Sequence, residues 1–127
     1  MALSVHVNVD YAIPGLVRVY PVGSLDSSTA NILEEELGPL LDGTATTIVL
    51  DLRDVTFLTS AGLRVIVAAR KRIAARGGVL VLANPQPQVA KVFEIIKSLP
   101  GINVFESVKE LDEYLGNIQR KIIEGQS

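Results

Sequence analysis

The residues best placed for chemistry in this 127-residue sequence are two adjacent hydroxyls, Thr59 and Ser60. They follow an apolar strand pattern at residues 48–50 and open a segment in which apolar side chains recur at helical spacing. The first turn of a helix has unpaired backbone N–H groups and a partial positive charge, which favour a nearby negative group. Ser60 is therefore predicted to be a phosphorylation switch, although the fragment taken alone favours a simple helix N-cap.

Charged residues lie close to this point in the predicted fold. Asp26, Asp51 and Asp54 all lie in or beside loops that follow strand patterns. The carboxyl ends of parallel strands collect at one edge of a sheet, where sites form. Asp26 and Asp54 are either turn residues and helix caps, or they flank Ser60 and help a kinase or phosphatase to place its metal. Arg64, one helical turn after Ser60, is within reach of a phosphate or an acidic partner.

The inventory of reactive side chains excludes most enzyme classes. The single histidine, His6, occupies a polar position of a strand pattern, which favours a surface role. Residues 58–62 lack the first glycine of a Gly-x-Ser-x-Gly nucleophile elbow, and no glycine-rich phosphate loop is present. Without cysteine there is no thiol chemistry, and one histidine makes no transition-metal cluster. The sequence thus predicts a protein that is not an enzyme and has neither a metal site nor a cofactor.

Composition indicates one globular domain over residues 1–127. Hydrophobic residues make up 48% of the chain and the mean hydropathy is +0.35, which is enough for a core. The net charge of −2 provides no field that would draw the chain onto nucleic acid or an anionic membrane. No apolar run approaches the roughly 20 residues of a membrane span, and no signal peptide begins the chain. We therefore expect a cytoplasmic protein that neither binds nucleic acid nor inserts into a membrane.

Hydropathy patterns predict strands and helices in the order β-β-α-β-α-β-α-β-α. The strand patterns lie at residues 3–9, 16–22, 46–52, 79–83 and 102–105, and the helical patterns at residues 33–41, 60–76, 89–96 and 107–122. Uninterrupted apolar runs at residues 48–50 and 79–83 predict strands buried on both faces. Ser107 is expected to cap the last helix, and residues 124–127 are expected to fray. The β-α-β units predict an α/β sandwich with a mixed, mostly parallel sheet and about four helices.

Two motifs resemble those of STAS domains, the family of anti-sigma factor antagonists and sulphate-transporter tails. Residues 23–26, Gly-Ser-Leu-Asp, are similar to the family's Gly-x-Leu/Ile-Asp signature. Residues 49–63 are similar to its V-x-D-L-S-x-V-x-F-x-D-S-S/A-G-L segment. The resemblance covers nearly the whole chain and implies that Ser60 is the phosphoacceptor. Many antagonists have Asp before this serine, whereas this chain has Thr59, a second hydroxyl that becomes the second choice.

The resemblance also implies a mechanism, partner switching. An unphosphorylated antagonist binds a serine kinase that doubles as an anti-sigma factor, the kinase uses ATP to phosphorylate and release the antagonist, and a PP2C-like phosphatase resets it. The implied partner-binding edge contains Asp26, Ser27, Thr59, Ser60, Ala61, Gly62 and Arg64.

Two other functions stay open at this point. One is a constitutive STAS adaptor subunit of a membrane transporter complex. The other is a nucleotide-binding α/β module that uses the same helix N-terminus, which the shortage of glycine in the loops disfavours.

Overall fold

The computed structural model describes residues 3–98 and 107–125, and it has the predicted α/β architecture. Its elements are β1 (Ser4–Val9), β2 (Leu16–Leu25), α1 (Ala30–Asp42), β3 (Thr47–Asp51), β4 (Val55–Leu58), α2 (Ser60–Ala75), β5 (Val79–Ala83), α3 (Pro87–Ser98) and α4 (Val108–Gly125). The strand predicted at residues 102–105 lies outside the described residues.

The described strands form one mixed sheet in the order β1-β2-β3-β5, with β4 added beside the end of β2. The β1–β2 pair is antiparallel, and the other pairs are parallel. This arrangement confirms the prediction of a mixed, mostly parallel sheet. It follows from the connections, because β1 and β2 are joined by a short turn whereas α1 and α2 carry the chain back for parallel pairing.

Strand β2 is longer than the sequence predicts. We expected the apolar pattern to end at Val22 and residues 23–29 to form a loop, but the strand continues to Leu25. The register shifts between Gly23 and Ser24, and Gly23 has a φ of 126° that only glycine adopts readily. Beyond this bulge β2 pairs with β4, a four-residue strand in a segment for which the sequence predicts no strand.

The helices bury the apolar faces that their periodicity predicts. Leu33, Leu37 and Leu41 of α1 are buried, as are Leu63, Ile66, Ala69 and Ile73 of α2 and Val89 and Val92 of α3. All of these side chains except Leu63 join the inward residues of the strands in one core, which includes Val19, Ile48, Leu50 and Leu58.

Strand β5 differs from its prediction. Leu80 is buried, but Val79 is 50% exposed and Val81 is 41% exposed. Successive side chains of a strand point to opposite faces, and α2 packs against the Leu80 face. Val49 of the neighbouring β3 is half-buried for the same reason. The continuous apolar runs therefore do not indicate burial on both faces here.

Helix α4 begins as predicted, since the Oγ of Ser107 accepts a hydrogen bond from the backbone N–H of Glu110 at 3.2 Å. Leu111 is buried and Leu115 is fully buried. The helix continues through Gly125, two residues into the segment expected to fray. Within the described residues, no helix combines the length and apolar character needed to cross a membrane.

Candidate functional site

The pairing of β2 with β4 brings Asp26 and Thr59 to one edge of the sheet. Leu25 is in register with Leu58, so the residues that follow these two leave the sheet side by side. The backbone N–H of Thr59 donates to the carbonyl oxygen of Leu25 at 2.9 Å. The Thr59 hydroxyl donates to the same oxygen at 3.4 Å. The edge expected from the sequence therefore exists, and β4 is the element that builds it.

Ser60 occupies the first helical position of α2, and Thr59 occupies the N-cap position without a capping hydrogen bond from its side chain. Ser60 is 6% exposed. Its Oγ is buried, and no described residue is a hydrogen-bond partner for it. The interpretation of Ser60 as a simple N-cap is therefore wrong, because its hydroxyl bonds to no backbone N–H.

The group that caps α2 comes instead from α4. The Oδ1 of Asp112 accepts a hydrogen bond from the backbone N–H of Ser60 at 2.8 Å. About two helical turns further along, the side-chain amide of Gln119 pairs with β4. Its Oε1 accepts from the N–H of Leu58 and its Nε2 donates to the carbonyl of Leu58, each at 2.7 Å. Helix α4 therefore lies over the strand and the helix start that carry Thr59 and Ser60.

Asp26 organises the loop between β2 and α1. Its Oδ1 accepts hydrogen bonds from the backbone N–H of Ser28 at 2.9 Å and from the Ser28 hydroxyl at 2.6 Å. Burial raises the pKa of Asp26, but hydrogen bonds from Ser28, Ser24 and Thr29 outweigh it and hold the pKa below its ordinary value. These contacts favour the turn-residue interpretation of Asp26. Among the described residues, no group of three or more His, Cys, Asp and Glu could hold a metal ion.

Asp51 has a structural partner of its own. Its carboxylate is held by the guanidinium of Arg53 at 2.8 and 3.0 Å, and by the side-chain amide of Asn84 at 3.1 Å. The hydrogen bond from the Arg53 side chain is the largest cause that lowers the pKa of Asp51, and burial opposes it. This cluster fastens the end of β3 to the end of β5. Asp54 is exposed, and its carbonyl accepts from the N–H of Gly23 at 3.0 Å.

The remaining predicted contact residues differ in accessibility. Ser27 and Arg64 are exposed and Ala61 is half-buried. Gly62 is buried, and a Cβ there would lie 2.9 Å from the Cβ of Leu25 and from a methyl group of Leu58. Gly62 therefore sets how closely α2 approaches the sheet, and its place at the partner-binding edge stays a prediction.

Two arginines at the end of α2 bind other parts of the chain. Arg72 forms an ion pair with Asp42 at the end of α1. The Arg76 guanidinium donates to the carbonyl oxygens of Gly43 and Ala45. These two arginines bind the end of α2 to the end of α1, whereas Arg64 lies exposed near the site.

The STAS domain model matches residues 9–111, which is most of the chain. The chain belongs to the STAS domain family. Among curated relatives of this STAS domain, BtrV of Bordetella bronchiseptica is 37% identical over 83 residues, covering 65% of this chain and 72% of BtrV. The anti-sigma-B factor antagonist of Bacillus subtilis is 33% identical over 79 residues, covering 62% and 72% respectively.

Solved structures share the fold of this STAS domain. The anti-sigma factor antagonist SpoIIAA in its unphosphorylated form has a TM-score of 0.61 at 22% identity, covering 72% of this chain and 83% of that one. The phosphorylated form of Bacillus SpoIIAA has a TM-score of 0.59 at 22% identity, covering 75% and 83%. At these identities, the two structures support the fold assignment alone.

Sequence reasoning missed two residues of the site, Asp112 and Gln119. They lie 52 and 61 residues from the groups that they bind, so no local pattern links them to β4 or α2. One signal existed for Gln119. Leu111, Leu115 and Gln119 are spaced by four residues on one helix face, so a polar side chain continues an apolar stripe. A polar residue at such a position usually has a buried partner.

Proposed function

We propose that this STAS domain is an anti-sigma factor antagonist that acts by partner switching. Its unphosphorylated form binds a serine kinase that is also an anti-sigma factor, and phosphorylation of Ser60 releases it. The observation that carries the proposal is the edge formed by β2 and β4, where Asp26 and Thr59 leave the sheet together and α2 begins at Ser60.

Three further observations support this role. Relatives that match the chain include, by name, an anti-sigma-B factor antagonist and an anti-sigma F factor antagonist. SpoIIAA, whose fold this chain shares, exists in an unphosphorylated and a phosphorylated form. The start of α2 is also a position where a helix N-terminus favours added negative charge.

In this proposal the chain is a cytoplasmic binding module that catalyses nothing itself. The kinase supplies ATP and its metal, and a PP2C-like phosphatase removes the phosphate. Exposed Ser27 and Arg64 contact the partner directly, as do Thr59 and Ala61 in part. Phosphorylation adds about −1.5 to −2 charges, which changes this surface sharply while the fold persists.

The test is a binding titration of the purified chain against its cognate serine kinase. Ser60→Asp should weaken the complex by about tenfold or more, while Ser60→Ala should bind like the native chain and stay bound when ATP is added. Thr44→Asp is the matched control, because it adds the same charge at an exposed position just before β3, at the opposite end of the sheet. Equal binding by all four proteins would refute the switch.

Intact mass measurement after incubation with kinase and ATP, followed by peptide mapping, identifies the acceptor. The proposal requires a gain of one phosphate at Ser60, and a phosphate on Thr59 would move the switch to the second-choice hydroxyl.

A second candidate function, a constitutive adaptor subunit of a transporter complex, is favoured by one observation. The Ser60 Oγ is buried in this conformation, as suits a domain that is never modified. An adaptor would gain no phosphate and would co-purify with an ATPase or permease.

A further inference from the structure

Helix α4 joins the site through polar contacts in addition to apolar packing. Its described buried side chains include Leu111, Leu115 and Gln119, which form one narrow stripe on an 18-residue helix. Gln119 completes the edge of β4, and Asp112 caps α2 at Ser60. The rest of the helix presents mostly exposed or half-buried side chains. A helix that is held by few buried side chains and a few polar contacts has a low free energy of local opening.

The contact of Asp112 with α2 conflicts with phosphorylation in two ways. Ser60 is 6% exposed and its Oγ is buried, so no kinase can bring a phosphoryl donor to it in this conformation. The Asp112 carboxylate also already occupies the N–H group of Ser60, where the partial positive charge of the helix is greatest. A phosphate on the adjacent Oγ would compete for the same N–H groups and would repel this carboxylate.

We infer that α4 is an autoinhibitory cover over Ser60, held closed by Asp112 and opened before phosphorylation. The inference rests on the proposed function, since it concerns how the same serine is reached. When α4 is lifted, the Ser60 Oγ attacks the γ-phosphorus of ATP, the bond to ADP breaks, and the hydroxyl proton is released. The new phosphate then takes the place of Asp112 at the start of α2, so α4 stays open.

Linkage makes the two events mutually dependent. If an open α4 is required for the phosphate, then the phosphate must favour an open α4 by the same factor. The cover therefore sets how easily the chain is modified, and modification exposes the face of α4 that was packed against β4. This exposed face gives the phosphorylated chain a surface that the unphosphorylated chain lacks.

Two measurements test the cover. The first is the initial rate of phosphate incorporation at Ser60 in Asp112→Ala, with Glu113→Ala as the matched control. Glu113 is an exposed acid beside Asp112 on the same helix. Asp112→Ala should be modified about tenfold faster than the native chain, and Glu113→Ala should stay within about twofold of it. Circular dichroism confirms that each variant is folded.

The second measurement needs no kinase. Hydrogen exchange followed by mass spectrometry should show faster exchange across residues 107–125 in Ser60→Asp than in the native chain or in Thr44→Asp. The cover would be overturned if Ser60→Asp exchanged hydrogen across residues 107–125 as slowly as the native chain and Asp112→Ala gained phosphate at the native rate. If no form of the chain accepts phosphate at Ser60, the proposed switch is wrong. The exchange result then tests by itself whether a negative charge at position 60 displaces Asp112 and opens α4.

Discussion

Replacement of Gln119 by methionine should destabilise the domain by about 2–6 kcal/mol. Gln119 is fully buried, and its amide pairs with both the N–H and the carbonyl of Leu58 at 2.7 Å. Methionine keeps the length and volume of the side chain, so the change leaves little cavity. It leaves the buried N–H and the buried carbonyl of Leu58 without their hydrogen-bond partners, and each group left unpaired costs about 1–3 kcal/mol. The sum is a large share of the roughly 5–15 kcal/mol that stabilises a domain.

The measurement is urea unfolding followed by circular dichroism, because the chain has no tryptophan. Lys121→Met is the matched control, since it makes the same substitution at an exposed position of α4 and should change the free energy of unfolding by less than about 0.5 kcal/mol. The amide of Leu58 should also exchange faster with solvent in Gln119→Met. If Gln119→Met unfolds at the same urea concentration as the native chain and the Leu58 amide exchanges no faster, then α4 does not complete the edge of β4.

Three further outcomes are expected. Gly62→Ala should destabilise the domain by about 1–3 kcal/mol in the same assay. Gly116→Ala is the control and should be neutral or stabilising, because the added Cβ meets only the flexible end of an arginine side chain. Equal effects of the two substitutions would contradict the close approach of α2 to the sheet. Asp51→Asn should remove part of the acid dependence of stability in urea titrations from about pH 2 to 7. The folded pKa of Asp51 is lowered, so its stabilisation is present above the unfolded pKa of about 3.9 and is lost as the pH falls through the folded pKa; an unchanged slope would show that the Arg53 contact contributes nothing. Arg76→Met should cost about 1–2 kcal/mol, because its guanidinium binds carbonyl oxygens at and after the end of α1, and an unchanged melting temperature would exclude this.

The sequence predicts those parts of the fold that depend on local patterns. Leu33, Leu37 and Leu41 are spaced for one helix face, and the structure buries all three. The end of α1 at Asp42 before Gly43 follows from the same local chemistry. Such elements are recognisable because the residues that determine them lie within a few turns of one another.

Elements that depend on distant pairing are not predictable in this way. Strand β4 has four residues, and only its pairing with Gly23–Leu25 distinguishes it from a loop. The exposure of Val79 and Val81 is decided by which face of the sheet the helices cover. The hydrophobicity of the sequence alone predicts neither the strand β4 nor the exposure of Val79 and Val81.

At the candidate site, too, some features follow from local sequence rules and others depend on distant residues. The rule that parallel strands end at a common edge was enough to place Asp26 beside Thr59. The burial of Ser60 was not foreseen, and its backbone N–H donates to Asp112 of a helix that begins 48 residues later. The structure therefore places both hydroxyls at the predicted edge, with Thr59 half-buried and Ser60 buried.

The separation between Leu58 and Gln119 has a consequence for the chain while it is being made. The ribosome adds about 5–20 residues per second, so the 61 residues between these partners take roughly 3–12 s to synthesise. During that interval β2 and β4 can already pair, yet β4 has an open edge and Ser60 lies uncovered. The newborn protein therefore passes through a period in which α4 does not yet cover the Ser60 hydroxyl and the backbone groups of β4 are open to other partners.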